Sequence, residues 1–100
     1  MKYLSNAFSL GMLPRGAAPL IQELDGRPSF DGLTSVVGHA DTAAILGVAF
    51  NRATLRLAAG DVLIVAQLDG PRLAEGATTL PEGASFRWFE ITLGGYDGQD

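Results

Sequence analysis

The chain has no cysteine, which excludes a disulfide framework and any metal site built on thiolates. It also lacks an apolar run near the length of a membrane span, and its first residues are too polar and too few for a signal peptide. Positive charge is scarce, since seven Lys and Arg against eleven Asp and Glu give a net charge of -4. Duplex binding depends on many cationic contacts to phosphates. We therefore expect a cytoplasmic protein with no DNA and no membrane partner, while a small phosphorylated ligand needs only a few basic side chains.

The length and composition predict one compact domain. One hundred residues, 47% of them hydrophobic, are enough for one core but not for two. The 13 glycines and five prolines are spread along the chain, which predicts many turns rather than disorder. We expect a single domain over residues 1–93, followed by a short, acidic, flexible tail over residues 94–100.

Several segments show strand patterns. Residues 61–68 are almost continuously apolar, which predicts a central strand, and residues 54–58 alternate in a way that predicts its hairpin partner. Clean alternation over residues 86–93 predicts a last strand, with Trp88 in the core or at an interface. Residues 2–8 and 18–24 predict two earlier strands, and Leu33 is expected to begin a helical turn.

The only histidine lies in the most informative stretch, residues 35–47. Apolar residues spaced three and four apart predict a short helix with Ser35 as its N-cap, Gly47 at its end and His39 in its first turns. An imidazole has an unperturbed pKa of about 6.5 and exchanges protons near neutral pH, and a helix N-terminus favours a bound phosphate. The plainer interpretation is that His39 is a hydrogen-bonded packing residue.

Polar residues in two loops are further candidates for a site. Asn6 and Ser9 follow the first predicted strand, where they either line a pocket or form ordinary turn hydrogen bonds. Residues 69–83 are polar, rich in Gly and Pro, and follow the predicted central strand, which suggests a lid. One helical turn would bring Arg72 and Glu75 to one side, either to hold a phosphate or as an exposed ion pair of little energetic weight.

Four separated stretches together resemble a known family: Asn6-Ala7-Phe8-Ser9, Gly38-His39-Ala40-Asp41-Thr42-Ala43, Arg72-Leu73-Ala74-Glu75-Gly76 and Arg87-Trp88-Phe89-Glu90-Ile91. Their order and spacing are similar to those of the type III anti-CRISPR ring nucleases of viruses and their CRISPR-associated bacterial relatives. The resemblance spans residues 2 to about 93. It implies an α/β fold, a mixed sheet of about five strands with helices packed against it, and a homodimer whose two-fold axis passes through a ring-shaped ligand.

The implied activity is cleavage of cyclic tetra-adenylate, the second messenger of type III CRISPR defence, to linear di-adenylate with 2',3'-cyclic phosphate ends. The nucleophile is the substrate's own 2'-hydroxyl, so the resemblance implies neither a cofactor nor a metal. It also implies roles for individual residues. His39 would protonate the departing 5'-oxygen, Arg72 would stabilise charge on the phosphate, and Glu75 would orient the ribose or Arg72. Ligand contacts would come from Asn6, Ala7, Phe8, Ser9, Gly38 and Gly76.

Departures from the family pattern bear on the lid and on the ligand contacts. The linker after Arg72 is short, and Gly11 stands where relatives can have a polar side chain. Two other classes of function stay open. One is a module that sequesters a cyclic oligonucleotide without cutting it, and the other is a structural or interaction protein in which His39 and Arg72 only pack or lie on the surface.

Overall fold

The computed structural model describes residues 1–73 and 75–93, and the predicted tail at 94–100 lies outside the described residues. The described part contains five strands, one α-helix and one 3-10 turn. In chain order these are β1 Lys2–Ser5, the 3-10 turn Leu10–Met12, β2 Pro19–Leu24, β3 Leu33–Ser35, α1 Ala40–Leu46, β4 Val62–Asp69 and β5 Ser85–Leu93.

The strands form one mixed sheet in the order β2-β5-β4-β1-β3. β1 is parallel to both β3 and β4, whereas β5 is antiparallel to both β2 and β4. The predicted α/β class with a mixed five-stranded sheet is confirmed. β4 is the central strand, as its apolar run predicts, and residues 63–66 are buried.

Side chains alternate between the two faces of the sheet and build two cores. On one face, Leu4, Ile64 and Trp88 pack against Ala43 and Leu46 of α1. On the other face, the irregular segment that contains the buried Leu55 and Leu57 covers a core lined by three residues of β5 and β4: Val65, Ile91 and Leu93. Trp88 lies in the core, one of the two environments predicted for it.

The helix begins later than predicted. Ser35 is the last residue of β3 rather than an N-cap, and His39 is itself the N-cap of α1, with extended backbone dihedrals. Residues 33–35, where a helical turn was expected, pair in parallel with β1. The apolar residues Val36 and Val37 that suggested an earlier start instead pack into the two cores from the loop between β3 and α1. Gly47 ends the helix in a left-handed conformation, as predicted.

The predicted strand at residues 54–58 is wrong. Its alternation does report burial, because Leu55 and Leu57 are buried and their neighbours are exposed. A hairpin with β4 is impossible, however, because β1 and β5 occupy both edges of that strand. The backbone N–H of Leu57 donates to Met12 O in the 3-10 turn (2.8 Å).

The loop between β4 and β5 has closely apposed ends. Gly70 has a φ of 111°, and a Cβ atom there would lie 2.5 Å from Gly83 O and 2.9 Å from Ala84 Cα. Only glycine allows this approach of the two backbones.

The described part of the chain contains no helix that is long and apolar enough to cross a membrane.

Candidate functional site

The parallel strands bring three separated segments to one edge of the sheet. β3, β1 and β4 all run in the same direction, so their carboxyl ends meet at that edge. β3 lies on one side of β1 and β4 lies on the other, so the loops that follow them flank the end of β1. A crevice at such a switch point is the usual ligand site of open α/β sheets. Asn6, His39 and Arg72 stand just beyond the ends of β1, β3 and β4.

These three residues line one cleft of about 410 Å³ on the face covered by α1. The chain therefore places an amide, an imidazole and a guanidinium around one space, although they are up to 66 residues apart in sequence. Apolar and hydroxyl-bearing side chains complete the lining: Thr42, Ala66, Leu68, Leu73 and Phe86.

His39 is held by its own helix. Its Nδ1 lies 3.2 Å from the backbone nitrogen of Thr42 and 3.0 Å from Thr42 Oγ1. Since the backbone N–H can only donate, Nδ1 accepts from it, and Nε2 of the neutral ring carries the proton. The N–H groups of the first helical turn are expected from the sequence to favour a phosphate, but one of them already donates to the His39 ring. Nε2 is the nitrogen left for a ligand.

The loop before His39 is fixed from both sides. The backbone N–H of Gly38 donates to Asn6 Oδ1 (3.1 Å), and Arg52 Nε donates to the Gly38 carbonyl oxygen (3.0 Å). Asn6 therefore has a structural role in addition to lining the cleft. Gly38 is held through its backbone groups, and it is not among the glycines with positive φ.

The loop over residues 69–83, which the sequence suggests is a lid, brings only one of its two candidate catalytic residues to the cleft. Arg72 is exposed and reaches it, whereas Glu75 is exposed and is not among its lining residues. The predicted helical turn between them includes Ala74, which lies outside the described residues. The Gly76 N–H donates to Asp41 Oδ2 in the first turn of α1 (3.2 Å), which ties this loop to the helix that His39 caps.

Two predicted ligand contacts border a second cleft, on the opposite face of the sheet. This cleft has a volume of about 390 Å³, and Ala7 and Phe8 line it together with Asn6, Ile21, Val65, Gln67, Phe89 and Ile91. Asn6 borders both clefts. Ser9 is exposed, lines neither of them, and accepts a hydrogen bond from Met12 N at the 3-10 turn.

Sequence reasoning missed Thr42, Arg52 and Phe86 as parts of the site. Thr42 follows His39 by three residues. This is the spacing between an N-cap residue and the backbone N–H that donates to its side chain, so the sequence did contain a signal for this contact. Phe86 follows Ser85, which pairs with Asp69 at the end of β4, and that register is invisible in the sequence. Arg52 acts from the irregular segment that precedes β4, and its contact with Gly38 joins parts of the chain that are 14 residues apart.

An ion pair between Glu23 of β2 and Arg87 of β5 lies away from the His39 cleft. Arg87 Nη2 and Nε donate to the two carboxylate oxygens of Glu23 at 2.9 and 3.1 Å. These hydrogen bonds lower the pKa of Glu23 and raise the pKa of Arg87. Both side chains are about half exposed, so solvent screens the pair.

The sequence profile of the STIV B116-like family matches residues 3–84 of this chain. Among solved structures, B116 of Sulfolobus turreted icosahedral virus (STIV) is similar, with a TM-score of 0.70 and 21% identity over 91% of this chain and 97% of that chain. At this level of identity the similarity concerns the fold alone. A search of curated proteins finds no match to the chain.

Proposed function

The chain belongs to the STIV B116-like family, and we propose that it acts as a ring nuclease that cleaves cyclic tetra-adenylate and so switches off type III CRISPR signalling. The observation that supports this most directly is the cleft shared by Asn6, His39 and Arg72. A proton donor and a phosphate-binding cation border one space at the switch point of the sheet. Both groups can promote metal-independent phosphodiester cleavage by an internal hydroxyl, one by protonating the leaving oxygen and the other by stabilising charge on the phosphate.

The reaction assigns one bond change to each group. The ribose 2'-oxygen forms a bond to phosphorus and loses its proton to solvent, the bond from phosphorus to the 5'-oxygen breaks, and His39 gives the Nε2 proton to that departing oxygen. Arg72 offers paired N–H donors to the phosphate oxygens as charge accumulates on them. Two such cleavages of the ring yield two linear di-adenylates, each with a 2',3'-cyclic phosphate.

In the same proposal, Glu75 orients the ribose or Arg72, and contacts from Asn6, Ala7, Phe8, Ser9, Gly38 and Gly76 hold the ligand. Asn6 borders both clefts, so a ligand larger than one nucleotide can extend from one to the other around the end of β1. The loop over residues 69–83 closes over the ligand and excludes water. The hydrogen bond from Gly76 to Asp41 supports such a closed position.

A homodimer in the cytoplasm completes the proposal. A two-fold axis through the ring supplies each catalytic group twice, which explains how seven basic residues per chain suffice for four phosphates. Leu20 and Ile21 on the edge strand β2 are 64% and 53% exposed, so apolar surface is available for a partner. Sedimentation equilibrium of the purified protein measures the oligomeric state directly.

The test is incubation of the protein and of a His39→Ala variant with cyclic tetra-adenylate in EDTA, followed by chromatography of the products. We expect linear di-adenylate from the parent and intact ring from the variant, because a general acid contributes about 10²- to 10⁴-fold in rate. Intact ring that is tightly bound by both proteins would instead indicate a sequestering module. Absence of binding would favour a structural or interaction protein.

A further inference from the structure

His39 has two tasks that compete for the same atom. As the N-cap of α1, its Nδ1 accepts a hydrogen bond from the Thr42 backbone N–H at 3.2 Å. As a general acid, the ring must be an imidazolium with protons on both nitrogens, because a neutral imidazole is too weak an acid to release its remaining proton near neutral pH. Protonation of Nδ1 would turn the cap into two N–H donors that face each other.

The Thr42 hydroxyl is placed to resolve this conflict. Its Oγ1 lies 3.0 Å from Nδ1, closer than the backbone nitrogen. A hydroxyl both donates and accepts, and its hydrogen rotates to suit the partner. The Thr42 side chain is therefore able to receive Nδ1–H after the ring gains its second proton, while the backbone N–H of the same residue is not.

We propose that Thr42 is a positioning residue whose hydroxyl oxygen accepts a hydrogen bond from Nδ1–H when His39 carries its second proton. The imidazolium then keeps its orientation while Nε2 releases a proton to the departing 5'-oxygen. The neutral ring that results still carries Nδ1–H on the Thr42 oxygen until Nε2 takes a proton from water. The catalytic part of this inference rests on the proposed function, whereas the exchange of hydrogen bonds does not.

The surroundings make Thr42 the local partner for Nδ1. Thr42 is buried, with 5% of its surface exposed, so water has little access to its side chain. Among the described residues, the charged groups on the elements around the ring are Arg72, which lines the same cleft, Asp41 in the first turn of α1, and Arg52, which donates to the Gly38 carbonyl oxygen. Asp41 Oδ2 accepts from the Gly76 N–H, the two arginines have no acceptor to offer, and Thr42 Oγ1 is the oxygen found within hydrogen-bond distance of Nδ1 among the described residues.

The decisive variants are Thr42→Val, which keeps the shape and the backbone N–H but removes the hydroxyl, and Thr42→Ser, which restores the hydroxyl. Thr92→Val is a matched control, since Thr92 pairs with Val62 at the far end of β4. For each protein, nitrogen NMR of the single histidine measures its tautomer and, for the doubly protonated ring, the exchange of its Nδ1 proton with water. Thermal unfolding confirms that each variant is folded, and cleavage of cyclic tetra-adenylate gives kcat and KM.

We expect the Nδ1 proton of the doubly protonated ring to exchange with water about tenfold faster in Thr42→Val than in the parent, because it loses its hydrogen-bond acceptor. We also expect kcat to fall about tenfold at neutral pH while KM changes less than about twofold. Thr42→Ser and Thr92→Val should behave like the parent in both measurements.

An unchanged exchange rate of the Nδ1 proton in Thr42→Val would overturn the inference, whether or not the parent cleaves the ring. Faster exchange with unchanged kcat would overturn its catalytic part. If the parent cleaves no cyclic oligonucleotide, the proposed function fails, and the exchange rate alone still decides the role of the Thr42 hydroxyl.

Discussion

Two clefts of nearly equal volume lie on opposite faces of the sheet and meet at Asn6, but their chemistry differs. The cleft on the α1 face, of about 410 Å³, contains His39, Thr42 and Arg72. The cleft on the other face, of about 390 Å³, is lined mainly by apolar side chains, among them Phe8 and Ile21. Cavity volume therefore does not distinguish the two clefts. The loops that follow the parallel strands do, because they place the imidazole of His39 and the guanidinium of Arg72 in one cleft and not in the other.

The largest effect expected from the comparison concerns Arg72. Arg72→Gln removes the charge that we propose binds the phosphate, and we expect kcat to fall by about 10²- to 10³-fold, as for loss of one donor that stabilises a developing oxyanion. Arg15→Gln is the matched control, because Arg15 is exposed and lines neither cleft. Phe89→Leu in the apolar cleft should leave kcat close to that of the parent. A greater loss from Phe89→Leu than from Arg72→Gln would reverse our assignment of the two clefts.

Substitution of Gly70 tests whether the close approach between the two ends of the loop that carries Arg72 contributes to stability. Gly70→Ala would press a methyl group against Gly83 O, in addition to the strain of a φ of 111°. We expect a loss of about 2–3 kcal/mol in the free energy of unfolding, measured by urea denaturation. Gly16→Ala separates the two causes, since φ at Gly16 is 80° and a Cβ there would meet nothing within 4 Å. Equal losses from both variants would show that the contact with Gly83 has no energetic weight.

Asn6 borders both clefts and also holds the Gly38 N–H. Asn6→Ala removes this acceptor, and we expect it to lower the free energy of unfolding by about 1 kcal/mol. Asn6→Asp keeps an acceptor oxygen at the same place and should recover most of that stability. If the Asn6 amide also binds the ligand, both variants should weaken ligand binding, whereas only Asn6→Ala should reduce stability. Identical urea midpoints for the parent and Asn6→Ala would contradict a stabilising role for the hydrogen bond between Asn6 and Gly38.

The smallest effect is expected from the ion pair between Glu23 and Arg87, on the same side of β5 as the apolar cleft. Because the folded-state pKa of Glu23 is lowered, its contribution is present above the unfolded pKa of about 4.3 and is lost as the pH falls through the folded value. Glu23→Gln should therefore change the urea midpoint slightly at pH 7 and not at all in strong acid. Since the pair is exposed, a large change at pH 7 would contradict its assignment as a screened surface contact.

Much of the fold was predictable because hydrophobic patterning determines burial. The continuous run in β4 indicated the central strand, and the alternation in β5 indicated the last strand; Trp88 lies in one of the two environments predicted for it. Which strands pair with each other was harder to predict from the sequence. Residues 54–58 have a strand pattern but no free edge to join, and residues 33–35 pair with β1 despite weak local signals.

The same division applies to the candidate site. His39 and Arg72 were identified by residue type and order, but their convergence on one cleft depends on the parallel arrangement of β3, β1 and β4. The exact start of α1 was missed, because Val36 and Val37 fit a helical spacing while packing from a loop. As a result, the cap formed by His39 was found only in the structure.

The most direct test of the central claim is a crystal structure of the complex with a cyclic tetra-adenylate analogue in which hydrogen replaces each 2'-hydroxyl. This analogue cannot undergo internal attack, so the ring stays intact beside the unaltered protein. The account predicts a bridging 5'-oxygen within about 2.6–3.2 Å of His39 Nε2, and Arg72 on the adjacent phosphate. A ring bound with all its phosphates away from His39, or held only against Phe8 and Ile21 on the other face, would contradict it.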